Sequence, residues 1–202
     1  MTVTVINYDR AMGRWEPNAR GRLEEAALEL YGERGYEQTT VAEIARRAGL
    51  TERTFFRHFA DKREVLFGGG TLLEERLTAA VAAAPDSAGP LEAVAAALDA
   101  VGPLFQERHE RSRRRQAIIL AHAELREREL IKLATLARAL AGALRERGVG
   151  EPAASLAAEA GIAVFKIAFE RWTDEPGEAD LRQAMREAFA ELRAVTAGTP
   201  AP

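Results

Sequence analysis

Apolar positions recur along this chain at helical spacing almost from end to end. Leu23, Ala26, Ala27, Leu30 and Tyr31 form an i, i+3, i+4, i+7, i+8 stripe, which predicts a core-facing first helix. Gly35 is placed to stop it in the left-handed conformation. Thr40-Val41-Ala42-Glu43 is a capping-box pattern, and Val41, Ile44, Ala45 and Ala48 give the short second helix one apolar face. Gly49-Leu50 breaks that helix. Thr51 then caps a third, which Phe55 and Phe59 anchor to the core. Asp61 and Glu64 open a fourth helix running through Leu66, Leu73 and Leu77 to about Ala84. After a Pro85 to Pro90 linker, helices are predicted at about 91–101, 103–110, 113–126, 127–147, 152–173 and 178–196. Their breaks are Gly102-Pro103, the arginine-rich stretch near 111–115, Gly148 to Pro152, and Pro176-Gly177. Only Thr2 to Ile6 alternates in a strand-like way, so the fold class is all-α. The tail at 197–202 is expected to be disordered.

Composition narrows the chemistry. The chain has no cysteine, which removes disulfides, thiolate metal sites, iron–sulfur clusters and cysteine nucleophiles together. Its three histidines, His58, His109 and His122, have no metal-ligand spacing. There is no nucleophile–base pair or phosphate loop, so an enzyme and a bound cofactor are not expected. No apolar run approaches the roughly 18 residues of a membrane span. The first 22 residues lack a signal peptide's apolar core, so the expected compartment is the cytoplasm, with no membrane partner.

Two short helices joined by a tight, glycine-containing turn are the signature of a helix-turn-helix. The second helix must stand free to enter a groove about 12 Å wide while the first braces it. Glu52, Arg53, Thr54, Arg57 and His58 fall opposite the apolar anchors of the third helix and are mostly hydrogen-bonding side chains. Residues 22–66 resemble the TetR/AcrR family of bacterial transcriptional regulators. The resemblance is carried by Ala26-Ala27-x-x-Leu30-Tyr31, Gly35-Tyr36, Thr39-Thr40-Val41-x-x-Ile44-Ala45, Ala48-Gly49-Leu50-Thr51, Thr54-Phe55-Phe56-Arg57-His58-Phe59 and Lys62-x-x-x-Leu66. The rest of the chain is similar only in length and helical layout.

The resemblance implies a helix-turn-helix DNA-binding head at 19–67, after an N-terminal arm at 1–18. It also implies a helical ligand-binding and dimerisation domain at 68–196, before the tail at 197–202. Thr39 and Thr40 would contact phosphate at the second helix's N-terminus, with Arg22 and Thr51 as further DNA contacts. Arg53, Thr54 and Arg57 would face the major groove, where arginine bidentate to guanine is the commonest specific contact. His58 and Lys62 would approach flanking phosphates. The family usually has tyrosine where this chain has Phe56, so that hydroxyl is absent and Phe56 would pack on sugar or a thymine methyl. Read alone, Thr40 with Glu43 is helix capping first, and Arg53 and Arg57 are solvated surface charges; their place on a recognition helix raises them.

Several features remain. Arg10, Arg14, Arg20 and Trp15 form either a minor-groove arm or a frayed tail with the indole packed on the head. Gly68-Gly69-Gly70 falls inside the predicted fourth helix, at roughly 1 kcal/mol per glycine relative to alanine, and is either a hinge or a local kink. Arg111, Arg113, Arg114 and Arg115 read as a solvated helix start rather than a nucleic-acid patch. Residues 152–173 are apolar on two faces and so need two partners. The resemblance implies that Leu156, Ala160, Val164 and Ile167, with Leu181, Met185 and Phe189, pair with their copies as a homodimer interface. A ligand pocket, implied the same way, would be lined by Phe105, His109, Ile118, His122, Leu125 and Phe165. His122 is either a satisfied core histidine or the group that orients a ligand.

The resulting expectation is a homodimeric repressor, bound to near-palindromic double-stranded operator DNA and released by a small molecule. The alternative is a helical protein–protein module without DNA binding. Charge sharpens this. The formal net charge is −3. Residues 1–67 hold eleven basic and eleven acidic side chains, so the negative excess lies entirely in the body. The basic footprint is expected to be small, with non-specific affinity modest and easily lost in salt.

Overall fold

In the computed structural model, residues 18–175 and 180–198 are described. Asn18 caps the first helix by accepting from the Gly21 N–H at 3.1 Å. That helix, α1 (Ala19–Arg34), buries the predicted stripe together with Leu28. It ends at Gly35, whose φ of 86° suits a residue without Cβ. Helices α2 (Val41–Arg47) and α3 (Glu52–His58) follow, each seven residues long. A 3₁₀ turn (Glu64–Phe67) leads to α4 (Gly70–Ala83). The remainder is α5 (Pro90–Val101), α6 (Pro103–Gln106), α7 (His109–Ala121), α8 (Ala123–Glu146), α9 (Ala153–Asp174) and α10 (Leu181–Thr196). There is no strand among the described residues, so the chain is all-α. Thr2 to Ile6, Arg10, Arg14, Trp15, Pro176-Gly177 and residues 199–202 lie outside the described residues.

Three predicted boundaries differ. The arginine-rich stretch at 111–115 does not break a helix; α7 runs straight through it. The break comes instead at His122, whose extended backbone (φ −126°, ψ 120°) separates α7 from α8. Gly68-Gly69-Gly70 is not inside a helix either, since α4 starts at Gly70 after the 3₁₀ turn. The helix-interior penalty therefore does not apply to Gly68 and Gly69. Gly68 has a different reason to be glycine: a Cβ there would lie 2.4 Å from a Glu24 carboxylate oxygen. Its carbonyl accepts from the Arg20 guanidinium, which also stacks 5.1 Å from the Phe59 ring.

Two apolar cores form. The body core joins α4, α5, α8, α9 and α10 around Leu98, Leu140, Leu144, Ala158 and Trp172. The head core gathers Leu23, Leu30, Tyr31, Ile44, Phe55 and Phe59, and takes in Ile119 of α7 and Leu125 of α8. The head is thus built partly from body helices, across the boundary predicted at 67/68. Ion pairs rim this junction. Arg111 reaches Glu24 at 2.7 Å, Arg114 reaches Glu25 at 3.3 Å, and Arg115 donates to the Leu66 carbonyl at 2.6 Å and pairs with Glu129. Glu64 receives Arg128 at 2.6 Å and Lys132 at 3.3 Å. Of the four arginines expected to be solvated, Arg113 and Arg114 are exposed, Arg114 while paired to Glu25, whereas Arg111 and Arg115 are half-buried in this junction.

Candidate nucleic-acid interface

The site is assembled from the turn outward. Gly49, at φ +67°, reverses the chain between α2 and α3, and its successor Leu50 donates to Ala45 O at 2.8 Å. Arg22 crosses from α1 to donate to the Ala48 carbonyl in this turn. The guanidinium expected at a phosphate therefore braces the turn, and a Cβ on Gly49 would meet it at 2.8 Å. Thr51 caps α3 by accepting from Thr54 N–H at 3.2 Å, and the two hydroxyls lie 3.1 Å apart. Phe55 and Phe59 are buried in the head core, which fixes the rotation of α3 about its axis.

That rotation turns Glu52, Arg53, Phe56 and Arg57 to solvent. Phe56 is 57% exposed. Arg53 and Arg57 are four residues apart, so both guanidiniums project from one side of the helix. Neither has a hydrogen-bonding or ion-pair partner among the described residues. Two unpaired guanidiniums on a protruding helix can each present a planar fork to a guanine edge or to phosphate.

The predicted phosphate contacts fare differently. Thr39 is only 1% exposed, and its hydroxyl donates to the Gly35 carbonyl at 2.8 Å, so it is a structural residue. Thr40 is exposed and completes the capping box with Glu43, donating to it from both N–H and hydroxyl at 2.9 Å. Those two bonds from Thr40 hold the Glu43 carboxyl below its usual range, with Arg34 and Arg46 adding to the effect. Lys62 does not face solvent as a free cation. Its ammonium donates to the carbonyls of Tyr36, Glu37 and Thr39 at 2.8, 3.2 and 3.1 Å, and sits 4.4 Å from the Tyr36 ring. It ties the α1–α2 loop, and hence the start of α2, to the segment after α3. Tyr31 closes the same knot by donating to the Lys62 carbonyl at 2.7 Å. His58 is half-buried, with its Nε2 unpartnered. Burial, with Arg57 and Arg20 nearby, pushes its pKa below the usual value.

The predicted pocket residues do not come together. Phe105, His109 and Phe165 join an aromatic cluster with Phe169 and Trp172, with ring centroids 4.5 to 5.8 Å apart. Ile118, His122 and Leu125 instead pack at the head, with the His122 ring 5.1 Å from Tyr36. A cleft of about 260 Å³ between α5 and α10, lined by Asp99, Met185, Arg186 and Phe189 among others, shares no residue with the predicted lining. Among the described residues there is no group of carboxylates and histidines able to hold a metal ion.

The predicted dimer residues also divide. Leu156 and Ile167 are 66% and 52% exposed on one face of α9, with Ala160 between them. Val164, Leu181, Met185 and Phe189 are buried within the subunit, because the apolar face of α10 lies on its own α9 and α5. They cannot also face a partner.

Comparisons with known proteins bear on the family and the fold. Residues 23–67 match the family model of bacterial regulatory proteins of the tetR family, and residues 88–197 match the model of the MftR C-terminal domain. The HTH-type transcriptional regulator TcmR of Streptomyces glaucescens is 43% identical over 74 residues, covering 37% of this chain and 33% of that protein. The HTH-type transcriptional repressor KstR2 of Mycobacterium tuberculosis is 40% identical over 58 residues, covering 29% and 28%. The matched stretch thus spans about a third of the length of these curated relatives. The solved structure of a transcriptional regulator from Pseudomonas aeruginosa PAO1 superposes with a TM-score of 0.62 at 19% identity, over 95% of this chain and 97% of that one, a likeness of fold. With an amino-terminal and a carboxy-terminal model matched in order over most of its length, the chain belongs to the TetR family of bacterial regulatory proteins.

Proposed function

We propose that this protein is a sequence-specific DNA-binding transcriptional regulator, a repressor that leaves its operator when a small molecule binds the body. The observation that carries the reading is the outer face of α3, where Arg53 and Arg57 stand exposed and unpaired among the described residues. Elsewhere on the head most arginines are consumed internally: Arg34 pairs with Glu43, Arg47 with Glu29 and Glu33, and Arg63 with Asp61, while Arg46 on α2 is exposed. Base reading falls to Arg53, Thr54 and Arg57, with Phe56 available to sugar or a thymine methyl. Thr40 and Thr51, the exposed cap residues of α2 and α3, are the remaining phosphate contacts.

The protein acts as a homodimer in the cytoplasm, where its operator is. Leu156, Ala160 and Ile167 form a solvent-facing apolar stripe on α9 that a second copy would cover. Two recognition helices one helical turn apart, about 34–36 Å, would then read a near-palindromic site. No helix among the described residues is long and apolar enough to cross a membrane.

Selection of bound fragments from the source genome with the purified full chain tests this reading. The expected result is recovery of a short, near-palindromic motif. Recovery of fragments with no shared motif, or no enrichment at all, would overturn it.

A further inference from the structure

The carboxylates of the head are neutralised almost without exception. Those of α1 meet Arg20, Arg47, Arg111 and Arg114, Glu43 meets Arg34, Asp61 meets Arg63 and Glu64 meets Arg128, all between 2.6 and 3.3 Å. Even Glu37 has a ring nitrogen of His122 at 3.9 Å. Glu52, the first residue of α3, is the exception. It is exposed, and its carboxylate has no hydrogen-bonding or ion-pair partner among the described residues.

The local sequence denies it one. A cation three or four residues along a helix can reach a carboxylate, but those positions hold Phe55 and Phe56. Arg53 is the immediate neighbour, which does not face it. At about 100° per residue, Glu52, Phe56, Arg53 and Arg57 follow one another round the exposed side of α3 within an arc of about 140°. The outward face of this helix thus carries two guanidiniums and one carboxylate that the protein itself does not satisfy.

The chemistry of the three groups narrows what can meet them. Guanidiniums donate, and phosphate oxygens or guanine O6 and N7 serve them equally. A carboxylate only accepts. The DNA backbone offers it no donor and repels it. In the major groove the donors are exocyclic amines, N4 of cytosine and N6 of adenine. Adenine presents its N7 acceptor beside that amine, against the second carboxylate oxygen, whereas cytosine presents its C5–H edge. Phe56, one turn along the same flank and 57% exposed, offers that edge an apolar ring.

We infer that Glu52 is a specificity-determining residue of this regulator, accepting a hydrogen bond from a cytosine N4 amine in the major groove while Phe56 covers the C5 edge of the same base. This rests on the DNA-binding reading above and gives it a base. The carboxylate also acts against other sequences, because where no amine is in reach it faces phosphates and purine acceptors unpaired. Each half-site therefore joins one cytosine to the guanines read by Arg53 and Arg57.

The test is a cycle between protein and DNA, using the full chain and the operator recovered by genome selection. Each cytosine of a half-site is replaced in turn by the 2-pyrimidinone nucleotide, which is cytosine without its 4-amino group. At one position wild-type affinity should fall by about tenfold, within the range of a single base-reading contact. Glu52→Ala should be insensitive to that replacement, and should bind random duplex more tightly than wild type because a repelled charge is gone. Glu52→Gln should shift the preference there from cytosine to adenine, since a carboxamide matches adenine N6 and N7. The side chain is exposed, so neither variant should lose the fold, and the wild-type base series needs no variant at all. Equal sensitivity of wild type and Glu52→Ala to every replacement would overturn the assignment. So would equal tightening of Glu52→Ala on operator and random duplex, the mark of a charge that only repels. A carboxylate in the first turn also suits the helix dipole. That role alone would lower the unfolding midpoint of Glu52→Gln and leave every base preference unchanged, which again overturns the proposal. If wild type separates operator from random duplex and only the Glu52 arms fail, the regulator reading stands. If wild type does not separate them, that reading falls and this one with it.

Discussion

At the scale of single residues, partners decide which cations are available to DNA. Lys62 and Arg22 look like Arg53 and Arg57 in the sequence, yet Lys62 satisfies three backbone carbonyls and Arg22 a fourth. Lys62→Met should therefore lower head stability by about 2 kcal/mol, the range for hydrogen bonds from a charged donor. The slope of log affinity against log salt should stay unchanged once unfolded protein is accounted for, because no phosphate contact is lost. Urea unfolding and salt-dependent shift assays measure the two effects separately; a flattened slope at full stability would return Lys62 to the phosphates. His58 makes a pH prediction. Its folded pKa lies below the ordinary value of 6.5, chiefly through burial. Between the two values the unfolded chain binds more protons, so stability is present above about pH 6.5 and falls as pH drops below it. His58→Gln should flatten that slope between pH 7 and 5.5, above the range in which carboxylates such as Asp61 and Asp99 begin to titrate. Unfolding midpoints across this range, with and without the substitution, check it.

At the scale of elements, α7 is the piece that joins the two cores. Its arginines clamp α1, its Ile119 enters the head core, and Arg128 and Lys132 of the next helix hold Glu64 beside it. Burial alone would raise the Glu64 pKa, but the two cations bring it below the usual carboxylate value. Glu64→Gln should loosen this corner by about 1 kcal/mol, and should speed amide exchange over residues 119–128 more than within α3. Uniform exchange across the head would contradict that local role. The same elements mark what periodicity can and cannot convey. The amphipathic stripes of α1, α5 and α9 locate those helices closely, because each buries a face that recurs every third or fourth residue. The capping box and Gly49 likewise locate α2, the turn and α3 from local chemistry alone. The α7–α8 break was not legible, since His122 carries no glycine or proline signal, and the arginine run looked solvated because its acids lie about ninety residues away. Ser112 and Gln116 were hidden in that polar run, where only tertiary burial distinguishes them. The pocket residues were chosen by apolarity, which the head core and the body core share. For α10, the apolar face was legible but its destination was not: a stripe that packs on its own subunit reads the same as one that packs on a copy.

At the scale of the whole molecule, reading a near-palindromic operator needs two heads at a fixed spacing. Leu156 and Ile167 are the large apolar side chains left uncovered on α9, whereas Leu181, Met185 and Phe189 already serve the subunit's own core. Ile167→Glu should yield a folded monomer with unchanged helicity and operator affinity reduced by at least tenfold, since one head cannot bridge two half-sites. Sedimentation and circular dichroism read state and fold together; a dimer that survives the substitution would move the interface elsewhere. The charge balance belongs to this scale too. With the Lys62 ammonium held by three backbone carbonyls and Arg63 paired to Asp61, the exposed unpaired arginines among the described head residues are Arg46, Arg53 and Arg57, fewer than a count of charges suggests. Affinity then depends on base contacts more than on phosphate neutralisation, and specificity should be sensitive to single residues of α3. The most direct measurement is the affinity of wild type and Arg57→Ala for the selected operator, for operators changed at each position, and for random duplex, at one salt concentration. Arg57→Ala is expected to weaken operator binding by about 1–3 kcal/mol and to abolish discrimination at one base position per half-site, while random-duplex affinity changes little. Equal losses on operator and random DNA, with discrimination intact at every position, would contradict it.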